Sequence, residues 1–218
     1  MENPYSCRRH AVEYKARAHA CHMKEVAVCS PETYGSRAMQ EFIKQKLADR
    51  DKQWIYKLIR GEGGSEREVV YVDTSEFMIC RDLHPGTDER FLVVFKDLAL
   101  QTIRDLRGKH VGLLRRVQNS VRRFLSHAQP QLAGEYRIFF HYTPSVFQLH
   151  AHVSMMHAYT QRTRVHPLSV VVQNLEAKST HYRDALILIS LCRSMKSLSV
   201  YNGLFALDGA GSDGNRSK

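Results

Sequence analysis

The stretch His141-Tyr-Thr-Pro-Ser-Val-Phe-Gln-Leu-His-Ala-His-Val-Ser154 decides how the rest of the chain is read. From Phe147 onward apolar and polar residues alternate, which is the pattern of a strand with one buried face. An extended backbone puts Gln148, His150, His152 and Ser154 on one face and Phe147, Leu149, Ala151 and Val153 on the other. The apolar face belongs to a core, and the imidazole face looks at something polar. Same-face neighbours in a strand lie about 6.6–6.8 Å apart, so two imidazoles can reach one phosphoryl group. His141 precedes the turn Thr143-Pro144-Ser145, and a short hairpin returns it to the same place. The residues alone leave three readings open: bystander histidines, imidazoles ligating zinc, or phosphoryl chemistry.

Working outward, residues 136–142 and 147–155 read as a hairpin at the centre of a sheet. Upstream, residues 108–127 carry Val111, Leu114, Val117, Val121 and Leu125 on one side and Arg115, Arg116, Arg122 and Arg123 largely opposite, which predicts a long amphipathic helix. Three short apolar runs at 69–72, 77–80 and 91–95 predict a meander, with His84-Pro85-Gly86 as turn chemistry. Residues 40–59 show helical spacing through Phe42, Ile43, Leu47, Trp54, Ile55, Leu58 and Ile59, and Gly61 to Ser65 ends that segment. Downstream, residues 167–177 predict a helix and 185–191 a strand. Hairpin-length connections among mixed elements favour an α+β fold with an antiparallel sheet of about five strands and flanking helices. Residues 1–25 read as a basic flexible extension, 26–205 as the folded domain, whose catalytic role is implied by the resemblance given below, and 206–218, rich in Gly, Ser and Asp, as a disordered tail.

The chain has 218 residues, 43% of them apolar, enough for one sizeable core and too few for two large domains. Its 32 Lys and Arg against 22 Asp and Glu leave a net charge of +10, which favours a polyanionic partner without choosing one. No apolar run is long enough for a membrane span or a signal peptide, so no membrane partner is expected. Five scattered cysteines read as reduced thiols, and Glu2 and Glu13 argue against a mitochondrial transit peptide. Cytoplasm or nucleus is the expected location. Cys7, His10, His19, Cys21 and His22 have no zinc-finger spacing, and no metal site is expected.

The histidine run resembles the histidine-triad signature, and its His-Tyr-x-Pro-Ser lead-in is similar to the scavenger mRNA decapping branch of that superfamily. Similarity extends from about Val26 to Leu204, through SPETY at Ser30, QWIYKLI at Gln53, ICRDL at Ile79, TIRDL at Thr102, QNLE at Gln173 and HYRDALILISL at His181. The resemblance implies a histidine-triad fold and cleavage of residual mRNA caps to release 7-methylguanosine monophosphate, without metal or cofactor. His150 would be the nucleophile, forming a covalent nucleotidyl-histidine, with His152 and His141 serving the phosphoryl oxygens. Ser145 and Arg164 would lie near the phosphates. Trp54 would stack on the methylated base, Asp82 and Leu83 would cover it, and His84 stands where a lysine is common. Glu66 would read the guanine edge, with Glu62 as the alternative. Gln148 replaces the first triad histidine and cannot carry a proton. Capped mRNA fragments or a cap dinucleotide are the implied partners, and a homodimer the implied assembly. The family's larger members carry an N-terminal β-rich domain that closes over the cap; about 25 residues precede the similarity here, so that closure is not carried over. Two alternatives stand beside this: a general dinucleoside polyphosphate or phosphoramidate hydrolase, and a cap-binding protein made weak by Gln148.

Overall fold

In a computed structural model, residues 25–62, 69–82, 90–128, 130, 134–155 and 165–191 are described. A six-stranded sheet organises them, built from β2 (Val70–Asp73), β3 (Phe77–Arg81), β4 (Phe91–Phe95), β5 (Tyr136–His141), β6 (His150–Met155) and β7 (Val165–Pro167). Its order is β2-β3-β4-β6-β5-β7, and every neighbouring pair is antiparallel. The α+β expectation holds, with one strand more than the expected five. The extra strand, β7, is three residues long and ends in a proline, too short to leave a period in the sequence.

Strand alternation gives the sheet two unlike faces. On one, Phe77, Ile79, Phe91, Val93, Phe95, Ile138, Phe140, Ala151 and Val153 form a single buried cluster. It is covered by α2 (Arg37–Ala48), α4 (Val111–Ala128) and α5 (Leu168–Ala177) through residues such as Phe42, Leu114, Val121 and Val171. Burying each large apolar side chain there contributes roughly 1.5–3 kcal/mol. The arginines of α4 stay outside as expected; Arg116 pairs with Glu76 and Arg115 with Glu176.

The second face is divided. Over β3 and β4, α3 (Trp54–Ile59) lays Ile55 and Leu58 on Met78, Cys80, Leu92 and Val94. The break between α2 and α3 is fixed by Gln53, whose Nε2 donates to the Leu47 carbonyl at 2.7 Å and so ends α2. Directly opposite Leu92 and Val94 stand His152 and His150 of β6. Cross-strand partners share a face, so the imidazoles continue the surface that α3 roofs.

A separate two-stranded ribbon pairs β1 (Glu25–Cys29) with β8 (Ile187–Leu191). The expected strand at 185–191 therefore joins this ribbon, and its partner β1 went unassigned in the sequence because Glu25–Cys29 runs on from the basic segment before it with no turn residue to mark its start. Before α2, Pro31–Gly35 forms a short helix, α1, capped by Ser30. Another four-residue helix, α6 (His181–Asp184), precedes β8. The ribbon is tied to the domain by Arg104, which is buried and donates to the carbonyls of Cys29 (2.6 Å), Tyr182 (3.1 Å) and Ala185 (3.1 Å).

The hairpin at 136–155 departs from expectation in one respect. Strand β6 begins at His150, so the connection is the eight residues 142–149 and Gln148 lies before the strand. Tertiary contacts hold this longer loop in place: Tyr142 is fully buried, Leu149 N donates to the Leu100 carbonyl at 2.7 Å, and Tyr56 Oη donates to the Phe147 carbonyl at 3.2 Å. Of the expected extension over 1–25 only Glu25 is described, as the first residue of β1, and the expected tail lies outside the described residues.

Candidate active site

The other half of the second face, over β6 and β5, carries three imidazoles. His150 and His152 come from β6 with ring centroids 5.3 Å apart, and His141 ends β5 with its ring 4.4 Å from that of His152. Register explains the convergence: Phe139 pairs with His152, so Phe139 and His141 face the same way as the two β6 histidines. The Phe139 ring stacks on His152 at 5.5 Å and 15°.

His150 is buried, and its Nδ1 lies 2.7 Å from the Gln148 carbonyl. A carbonyl only accepts, so Nδ1 carries the proton and the lone pair resides on Nε2. Burial, reinforced by His152, pushes the pKa of His150 down to about 4, so the ring is neutral at pH 7. A neutral imidazole with one nitrogen anchored and the other free is an oriented nucleophile. His152 is less enclosed, and its Nδ1 lies 3.7 Å from Asp82 Oδ2. Asp82 follows β3 in alternation with Met78 and Cys80, which aims it at the same face, and its N–H donates to the Arg90 carbonyl at 3.1 Å.

Gln148 does not sit on the strand beside the histidines. Its Nε2 donates to the carbonyls of Phe95 (2.7 Å) and Asp97 (3.1 Å), closing the end of β4 against the 142–149 connection, while Oε1 is buried without a partner. Its donor groups are thus turned to the chain itself. Ser145 is exposed on the same connection.

Trp54 opens α3, half-buried against the cluster of Ile55, Leu58, Met78, Cys80, Leu92, Val94 and Val146. Val146 belongs to the 142–149 connection, and Tyr56 is hydrogen-bonded to that connection, so the tryptophan helix is tied to the histidine loop. Glu62 pairs with Arg60 in a two-point contact at 2.7 and 2.9 Å. Glu66, Leu83, His84 and Arg164 lie outside the described residues. Sequence reading missed two neighbours of His152, the stacked Phe139 and the approach of Asp82. The first was accessible, since alternation in residues 136–141 puts Phe139 and His141 on one face.

The scavenger mRNA decapping enzyme C-terminal family matches residues 53–166, just over half of the chain, from Trp54's helix to the end of the histidine sheet. The chain belongs to this family. Among its relatives are the m7GpppX diphosphatase of Homo sapiens, 25% identical over 148 residues, and that of Schizosaccharomyces pombe, 25% identical over 152 residues. These alignments cover 64% and 66% of this chain but 44% and 48% of the two relatives, so the chain spans about half their length. Solved structures resembling it include Hnt3 in complex with DNA and guanosine (14% identity, TM-score 0.42, covering 71% of this chain and 96% of that one). A second is the aprataxin ortholog Hnt3 in complex with DNA (16%, TM-score 0.43, covering 72% and 94%). Among the described residues, no helix is long and apolar enough to cross a membrane.

Proposed function

We propose that this decapping-family chain is a nucleotidyl hydrolase that cleaves the triphosphate bridge of residual mRNA caps and releases 7-methylguanosine monophosphate. The observation that carries the reading is His150: a buried neutral imidazole with Nδ1 anchored to the Gln148 carbonyl and two further histidines beside it. Nε2 of His150 attacks the phosphorus next to 7-methylguanosine, the P–O bond to the departing nucleotide breaks, and a covalent nucleotidyl-histidine forms. His141 supplies hydrogen bonds to the phosphoryl oxygens as charge shifts onto the leaving group, and His152, beside them, serves the same phosphoryl group in the second half of the reaction. Ser145 and Arg164 are assigned to the phosphates. Trp54 is the stacking platform for the cationic base, supported by its position on the helix bonded to the histidine loop. Leu83 over the base, His84 beside it and Glu66 on the guanine edge complete the assignment. Capped mRNA fragments or a cap dinucleotide are the substrates, the chain works as a homodimer, and it acts in the cytoplasm or nucleus.

The test is incubation with a methylated cap dinucleotide without added metal, followed by product identification. 7-Methylguanosine monophosphate is the expected product, unchanged by chelator. Loss of activity with chelator and recovery with zinc would replace the histidine mechanism by a metal one. Equal use of unmethylated dinucleotides would make the chain a general hydrolase. His150→Ala should abolish turnover and leave binding of a cap analogue within a few-fold; binding without any turnover in the parent chain would make it a cap-binding protein.

A further inference from the structure

The two-step reaction proposed above poses a problem of its own: water must hydrolyse the nucleotidyl-histidine, and its proton needs an acceptor. His150 cannot serve, because its Nε2 is bonded to phosphorus in the intermediate and its Nδ1 is held on the Gln148 carbonyl. His152 is better placed. Its ring is fixed on one side by stacking on Phe139, and the rings of His141 and His150 lie 4.4 and 5.3 Å away. Asp82 Oδ2 stands 3.7 Å from Nδ1 of His152, and both side chains are largely enclosed, 21% exposed for His152 and 13% for Asp82. At 3.7 Å this is an ionic contact longer than a hydrogen bond, and the carboxylate's charge favours the tautomer with the proton on Nδ1, the nitrogen nearer to it, and the lone pair on Nε2.

We propose that Asp82 is a positioning residue which, through His152, prepares the base that activates water in the second half of the reaction. This rests on the reading of His150 as nucleophile. The oxygen of water attacks phosphorus as the P–N bond breaks and its electron pair returns to Nε2 of His150. The proton of water passes to Nε2 of His152, and the resulting imidazolium faces the Asp82 carboxylate until it releases the proton to solvent. His150 keeps its Nδ1 proton throughout and is regenerated neutral. The family resemblance puts Asp82 at the methylated base instead, and the two roles move different kinetic quantities.

The experiment uses the full chain, a methylated cap dinucleotide and alkaline quenching, which preserves the acid-labile P–N bond, followed by intact-protein mass spectrometry. In Asp82→Asn the nucleotidyl adduct should form at the parental rate and accumulate toward one per active chain. Its kcat should fall about a hundred-fold, the usual scale for losing an oriented base, with KM within about three-fold. Asp82→Glu should restore part of kcat and reduce the accumulated adduct. A raised KM with unchanged kcat overturns the inference in favour of a base contact, and slowed adduct formation without accumulation overturns it too. Absence of both product and adduct in the parent chain overturns the proposed function itself. Product in the parent with no accumulation in Asp82→Asn overturns the role of Asp82 alone.

Discussion

Nε of Arg104 donates a 2.7 Å hydrogen bond to the hydroxyl of Tyr142, the residue that follows His141. The same guanidinium lies 5.2 Å from the ring centres of Tyr34 and Tyr142, so a buried cation is held by carbonyls, a hydroxyl and aromatic faces. It joins the β1–β8 ribbon to the start of the histidine connection. Arg104→Met should therefore cost about 3–5 kcal/mol, because the carbonyls of Cys29, Tyr182 and Ala185 lose their donor together. Tyr142→Phe should cost about 1.5–3 kcal/mol, the scale of one hydrogen bond to a charged group. Urea denaturation measures both, and equal midpoints for parent and Arg104→Met would show that the network does not hold the ribbon.

Acid should weaken the fold through two histidines. Burial pushes His150 down to about 4, and burial followed by the nearby Arg104 pushes His166 down to about 4, against the ordinary 6.5. The unfolded chain binds these protons first as pH falls. Stability is thus full above about pH 6.5 and declines toward pH 4, by at most roughly 3 kcal/mol for each group. Denaturant unfolding across that range should show the slope, and His150→Asn and His166→Asn should each flatten it. A slope unchanged in both variants would assign acid sensitivity to other groups.

Trp54 is the sole tryptophan, so its fluorescence has one source. Binding of 7-methylguanosine monophosphate should quench it. Trp54→Ala should weaken binding by about 1–3 kcal/mol, the scale of a stacking platform. Because the side chain is half-buried on α3, the stability loss should fall short of the roughly 3–5 kcal/mol of a fully buried aromatic. A variant that keeps its preference for methylated over unmethylated nucleotide would remove Trp54 from the base pocket.

Gln148 is a donor to two carbonyls, and a carboxylate in its place can donate nothing while ionised. Gln148→Glu should lower stability by about 1–3 kcal/mol at neutral pH through repulsion from the Phe95 and Asp97 carbonyls. The loss should shrink at acid pH, where a protonated carboxyl regains one donor. Thermal melts at pH 7 and pH 5, each referred to the parent at the same pH, make the comparison; equal losses would place the side chain away from those carbonyls.

Much of the fold was legible because its periods are long. The helix over 111–128 buries Leu114, Val117, Val121 and Leu125 with the arginines outside, as the 3.6-residue pattern required, and the meander of β2, β3 and β4 follows its three apolar runs. Short elements escaped. β7 has three residues, below what alternation can signal, and β1 has no turn residue to mark its start; each is stabilised as a strand by pairing with a segment distant in sequence.

For the site, the order of residues by itself determined that His150 and His152 share a face and that Ala151 and Val153 face the core, because side chains alternate along any strand. Only the tertiary structure decided which neighbours those imidazoles have. Strand register put Phe139 against His152 and Leu92 and Val94 on the other flank. Loop anchoring by Arg104, Leu100 and Tyr56 ended the strand at His150, which turned Gln148 toward the end of β4 and left its own carbonyl to hold the Nδ1 proton of His150. Hydrogen bonds between residues 38 to 91 positions apart in the chain are set by packing of whole elements, and local spacing carries no record of them.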